Sequence, residues 1–171
     1  MEEPHAQALL LRWFAGLFAR ELEGTQIAGL SDGQADALID GLRYFLGESA
    51  AIAALSAALS RLTSSAQIER GLAGDFAILF LLPGPDSAPP FASCYASPGL
   101  LFGPPHHAMQ RRLARAGLTL EGDGRQPADH VAVMLEYLAH SLTNPTATED
   151  PARFIQSALM PWVPDFARRD R

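Results

Sequence analysis

β-Branched aliphatic residues are scarce in this chain: 3 valines and 6 isoleucines stand against 29 alanines and 25 leucines. Strands draw on valine, isoleucine and aromatics, whereas alanine and leucine lose least on entering a helix. An all-α fold follows. The length, 171 residues, suits one compact multi-helical domain over residues 1–171 with its own core. Cys94 is the one cysteine, so neither an internal disulfide nor a cysteine-based zinc site is expected. No apolar run reaches the roughly 20 residues of a membrane span, and the N-terminus, MEEPHAQ, is acidic where a secretory leader is basic. A cytoplasmic chain without membrane insertion is the expectation. All 13 basic residues are arginine and the net charge is −6, which argues against general affinity for nucleic acid or anionic lipid.

Apolar spacing predicts roughly seven helices. The first runs from Pro4 to about Glu23, with Leu10, Trp13, Phe14, Leu17 and Phe18 as its buried stripe. Ser31-Asp32-Gly33-Gln34 reads as a capping box for a second helix, ending near Gly47. An alanine-rich third covers residues 49–62, and Ser64-Ser65-Ala66-Gln67 opens a fourth through about Leu82. Residues 83–105 hold seven prolines and cannot be a continuous helix. They also carry Phe91, Tyr95, Leu100, Leu101 and Phe102, too much apolar surface for a solvated linker, so an ordered loop packed on the helices is expected. Pro104 or Pro105 starts the fifth helix and Gly117 stops it, followed by the polar connection LTLEGDGRQ. Pro127 opens the sixth, with Val131, Met134, Leu135, Leu138 and Leu142 buried. Asp150 caps a seventh that begins at Pro151 and ends at Met160.

Two places offer polar chemistry. Asp75 projects among Ile68, Leu72, Leu79 and Leu82 if the fourth helix keeps its 100° step. A carboxylate there either holds a nearby backbone or arginine, or waits in an apolar groove for a cation from a partner. Gly71 and Gly74 on the same helix leave room for another backbone. In Pro127-Ala128-Asp129-His130, Asp129 complements the positive end of the helix dipole, and the same dipole favours a neutral His130. Asp129, Glu136 and His140 then share one face, read as the solvated side of the helix. The histidines show no metal-ligand spacing and no HExxH. No GxSxG, Walker A or GxGxxG is present either, so the residues argue for neither enzyme, metal site nor cofactor.

Four stretches together resemble the TorD/DmsD-type chaperones of molybdenum redox enzymes, the redox enzyme maturation proteins: WFAGLFARELEGTQIA (13–28), LAGDFAILFLL (72–82) with PPFASCYAS (89–97), QPADHVAVMLEYLAHSL (126–142) and PWVPDFARR (161–169). They span nearly the whole chain in the family's order. The resemblance implies an all-helical, non-enzymatic chaperone. It would bind the twin-arginine signal peptide and the immature body of an apo-molybdoenzyme precursor, assisting cofactor insertion and delaying export. The likeness is of the TorD type, which implies a trimethylamine N-oxide reductase as client, with a dimethyl-sulfoxide or nitrate reductase as the alternative.

The resemblance also supplies site residues. The family's Pro-x-Asp-His motif falls on Pro127, Asp129 and His130, positions implicated in signal-peptide recognition. Its Asp-Phe and Leu-Phe pairs fall on Asp75, Phe76, Leu79 and Phe80, and Tyr95 matches a loop aromatic. Carboxylates beside apolar groups suit a ligand with two arginines and an apolar stretch. Two departures stand out. Gln126 replaces the Glu that often opens the motif. Relatives also continue past Trp-Val-Pro-Asp-Phe for one or two more helices, which leads to the expectation of a surface covered by another chain and a homodimer made by helix exchange. Weak guanine-nucleotide binding is associated with the family, although no phosphate loop is present. A helical nucleotide-binding protein or hydrolase, and a scaffold without a groove, are the readings outside the family.

Overall fold

The computed structural model describes residues 3–63, 65–84, 87–96, 99–120, 127–147 and 149–169. Its helices are α1 (Glu3–Ala19), α2 (Gly24–Gly29), α3 (Ala35–Leu46), α4 (Ala50–Leu59), α5 (Ala66–Phe76), α6 (Pro104–Arg115), α7 (Val131–Thr143), α8 (Pro151–Phe154) and α9 (Val163–Arg169). The wider π turns Ala77–Leu81 and Ile155–Leu159 extend α5 and α8, and a 3₁₀ turn spans Ala92–Tyr95. The only β pairing among the described residues is the isolated bridge Phe91–His130. The all-α expectation holds. The chain divides into two compact units, one of residues 1–19 and 78–171, the other of residues 20–77.

In the first unit α1 packs along α7. Ala8 and Ala15 are the residues α1 buries, small enough for the two helices to come close. The core collects Met109 and Leu113 from α6, Met134, Tyr137 and Leu138 from α7, Phe154 from α8, and Trp162 and Phe166 at the C-terminal end. Gly117 ends α6 with φ 69°, and the amides of Gly117 and Leu118 return to the carbonyls of Ala114 and Leu113 at 3.2 and 2.9 Å. That is a Schellman closure, which a left-handed glycine permits without strain. Asp150 caps α8 as expected, accepting from the Arg153 amide at 2.9 Å.

The second unit buries Ile27, Leu30, Leu38, Ile39, Leu42, Ile52 and Leu59. Four boundaries differ from the sequence expectation. The first helix stops at Ala19 rather than Glu23, because Glu23 is extended (φ −83°, ψ 156°) and caps α2. Two acidic side chains, Glu21 and Glu23, at the negative end of α1 would also have opposed its dipole. Ser31 does not cap the next helix. Its hydroxyl donates back to the Ile27 carbonyl at 2.9 Å, and the chain turns at Gly33 (φ 99°) before α3 begins. For α5 the cap is Ser65, accepting from the Ile68 amide at 3.3 Å, while Ser64 lies outside the described residues. Lastly, α7 begins at Val131, four residues after Pro127.

Candidate functional site

The sequence places four prolines between residues 83 and 90, leaving a loop that cannot satisfy its backbone groups as a helix. In the structure it does so against the start of α7. The Ala92 amide donates to the Asp129 carbonyl at 3.1 Å, and the Val131 amide to the Pro90 carbonyl at 2.8 Å. Asp129 completes the seam with its side chain. Its Oδ2 accepts from the Ser93 amide at 2.7 Å and the Ser93 hydroxyl at 2.5 Å. Ser93 Oγ in turn accepts from the Gly103 amide at 3.1 Å. Asp129 is fully buried, and its Oδ1 has no hydrogen-bond partner among the described residues.

This arrangement corrects two expectations. Pro127 is not a first helical residue, and Asp129 is not in the first turn facing the dipole. The pull of Ser93 on Asp129 folds residues 127–130 into a turn, with the His130 amide meeting the Pro127 carbonyl at 3.4 Å. His130 is the helix cap instead, its Nδ1 accepting from the Ala132 amide at 3.1 Å. Burial pushes its pKa down from 6.5 to about 4, against a smaller opposing pull from Asp129. His106 is held the same way, with Nδ1 accepting from the Ala128 amide at 2.8 Å and its pKa lowered chiefly by burial. Both rings are neutral at pH 7, and an accepting Nδ1 puts the proton on Nε2.

His130 also lines a cleft of about 570 Å³ formed by α1, the end of α6 with residues 118–120, and α7. Its walls are largely apolar, from Leu113, Leu118, Leu120 and Val133, while Glu136 and His140 stand on α7 within it. Arg12 reaches Glu136 at 3.5 Å, with both side chains about half exposed. The face read as merely solvated therefore divides. Glu136 and His140 share this cleft, while Asp129 is withdrawn into the seam. Glu136 was missed as a site residue, although it is the only acidic residue of α7.

The remaining sequence-named residues fall into two groups. Phe80 and Tyr95 join an aromatic cluster, Phe80 lying 5.8 Å from Phe18 and Tyr95 lying 5.4 Å from Trp162. Phe166 of α9 touches both. Tyr95 thus anchors the proline-rich loop, and the half-buried Leu79 receives the Ala88 amide on its carbonyl at 2.7 Å. Asp75 and Phe76 belong to the second unit. Asp75 is exposed, not set in an apolar stripe. The π turn that begins at Ala77 has more residues per turn than an α-helix, so Leu79 and Leu82 no longer keep the phase that would flank Asp75. Gly71 and Gly74 have no atom within 4 Å of a built Cβ, so no backbone approaches them among the described residues. Gln126 and most of the LTLEGDGRQ connection lie outside the described residues. Those described contain no cluster of three or more His, Cys, Asp or Glu fit for a metal, and no helix long and apolar enough to cross a membrane.

Comparison with known proteins adds sequence relatives and a fold. A sequence family described as nitrate reductase delta subunit matches residues 46–168. A chaperone protein TorD of Psychrobacter sp. is 38% identical, with 96% of this chain and 78% of the relative covered. A chaperone protein TorD of Vibrio cholerae serotype O1 is 34% identical over 92% of this chain and 76% of its own length. A crystal structure from Archaeoglobus fulgidus, described as a redox enzyme maturation protein, superposes with a TM-score of 0.51 at 17% identity. It covers 99% of this chain and 92% of that one. That likeness is one of fold.

Proposed function

This chain belongs to the TorD family of chaperone proteins, and we propose that it binds the twin-arginine signal peptide and immature body of a molybdenum-containing oxidoreductase in the cytoplasm, assisting cofactor insertion and delaying export. The observation that carries the reading is identity of 34–38% to chaperones of this name over more than nine-tenths of the chain. The relatives' shared name points to a trimethylamine N-oxide reductase as the client. A nitrate reductase is the second reading, favoured by the description of the matching family.

The cleft beside His130 suits such a peptide. Glu136 on its wall offers a carboxylate to one arginine, in exchange for Arg12, and Leu118, Leu120 and Val133 suit the apolar stretch that follows. Pro127, Asp129 and His130 act in this reading as the frame of the cleft. A fully buried Asp129 holds the loop and α7 in register and does not reach the ligand itself. Phe80 and Tyr95 support the same frame through the aromatic cluster, and Leu79 through its bond to the Ala88 amide. Asp75 and Phe76 are proposed as a client contact of their own on the second unit.

Calorimetry with the signal peptide of a trimethylamine N-oxide reductase tests this, beside a control with both arginines replaced by alanine and a nitrate reductase peptide. Binding that weakens about tenfold or more without the arginines, and likewise in Glu136→Gln, supports the reading. Equal affinity for peptide and control sinks the carboxylate argument. Tighter binding of the nitrate reductase peptide transfers the client.

A further inference from the structure

On another face of the first unit, α6, α7 and α8 enclose a cleft of about 660 Å³ lined by Arg111, Arg112, Arg115 and Arg153. Four of the chain's 13 arginines meet here in a molecule whose net charge is −6. Among the described residues only one of them has a partner. Arg112 lies against Glu149 (Nε to Oε2 3.0 Å), donates to Ser157 Oγ at 3.1 Å, and stacks 5.5 Å from the centre of the Phe154 ring. Tyr137 steadies Glu149 from α7 with a hydrogen bond of 3.2 Å. The Asp150 side chain is occupied in capping α8. Arg111, Arg115 and Arg153 are exposed, and no carboxylate pairs with them among the described residues.

Folding does not account for this concentration of charge. Arg115, in the last turn of α6, complements the helix dipole. Arg111 and Arg115, however, sit four residues apart on one helix, a like-charge spacing that weakens it. Arg153 brings a third uncommitted guanidinium to the same cleft from α8. Beside it, and sharing Ala108, Arg112 and Ser157 with it, opens an apolar pocket of about 390 Å³ walled by Pro105, Met109, Met134 and Trp162.

We propose that this pair of pockets docks an acidic segment of a partner protein, its carboxylates on Arg111, Arg115 and Arg153 and a following bulky apolar side chain in the pocket beside Trp162. A protein segment fits better than a compact anion. The guanidinium groups without a partner among the described residues come from two helices, and the apolar pocket adjoining their cleft would be left empty by a compact anion. Carboxylates spaced along a chain can meet separate forks bidentately, and methionines in a pocket accommodate varied apolar shapes. The surface lies apart from the cleft in which Glu136 pairs with Arg12 and differs from it in charge, so this inference goes beyond the signal-peptide reading and stands or falls separately from it.

The test is fluorescence anisotropy of a labelled glutamate-rich peptide ending in leucine and phenylalanine, beside the same peptide with glutamine for glutamate. The proteins are the full chain and the double variant Arg111→Glu, Arg153→Glu. The expected result is binding to the unaltered chain that weakens at least about tenfold with the glutamine peptide, with the variant and at high salt. The variant should keep its helical circular dichroism and its affinity for the twin-arginine peptide. Equal binding by the variant, or no binding at low salt, overturns the proposal. So does displacement of the peptide by inorganic pyrophosphate at matching concentration, which would mark a small-anion site.

Discussion

At the scale of single residues, Asp129 and His130 are neighbours in one motif and do different work. Asp129 ties two segments 36 positions apart, and it has no exposed atom to offer a ligand. Asp129→Asn keeps an oxygen for Ser93 but places an amide N–H₂ where the structure gives Oδ1 no partner. We expect a loss of about 1–3 kcal/mol in urea unfolding, with the proline-rich loop the first region to gain hydrogen exchange. An unchanged midpoint would mean that the seam contributes nothing. His130 makes a pH prediction. Its pKa falls from 6.5 to about 4 on folding, so the unfolded chain binds the extra proton between those values. Stability is then fully present above pH 6.5 and declines as pH drops toward 4, by about 3 kcal/mol from this group. His130→Asn, which retains a capping acceptor, should flatten the melting temperature between pH 7 and 5. An identical slope in the variant would assign the acid sensitivity elsewhere, His106 being the next group.

At the scale of elements, helix ends were readable because their chemistry is local. Asp150 receives the amide three residues ahead, and Gly117 closes α6 through its immediate neighbours. Two glycines give opposite forecasts. Gly16 lies within α1 with no atom within 4 Å of a built Cβ, so Gly16→Ala should raise stability by roughly 0.5–1 kcal/mol. Gly117→Ala forces alanine to φ 69° and should lower it by roughly 1–2 kcal/mol. Thermal melts of the two single variants check both signs, and a shift in the same direction for both would contradict the account. Pro127 shows where local reading stops. Proline suits a first helical turn, yet the tie between Asp129 and Ser93 delays α7 to Val131.

At the scale of the molecule, composition anticipated one helical domain, and the structure contains two compact units. If they fold as a single cooperative domain, two probes of unfolding will coincide. Trp13 and Trp162 both report on the first unit, whereas far-ultraviolet circular dichroism averages over every helix. We expect one denaturant midpoint by both probes, and separate midpoints would show independently stable units. Two clefts of unlike charge complete this scale. One carries Glu136 among leucines, the other carries arginines beside methionines and a tryptophan, and opposite salt-sensitive ligands should distinguish them.

Alanine and leucine abundance, proline placement and caps within three residues were enough to determine the helical class and most of the helix positions, because helix energetics depends on neighbours in sequence. The family was legible in four ordered motifs. Tertiary structure alone decided what the motif residues do. Asp75 is exposed, and the apolar residues after Phe76 leave its phase because a π turn follows. Asp129 became buried because Ser93, in a loop 36 residues away, supplied its donors. Glu136 acquired a cleft because residues 118–120 fold beside α7, and four arginines converged because α6 and α8 meet across Glu149. Such placements depend on packing between distant segments, which sequence periodicity along one helix does not encode.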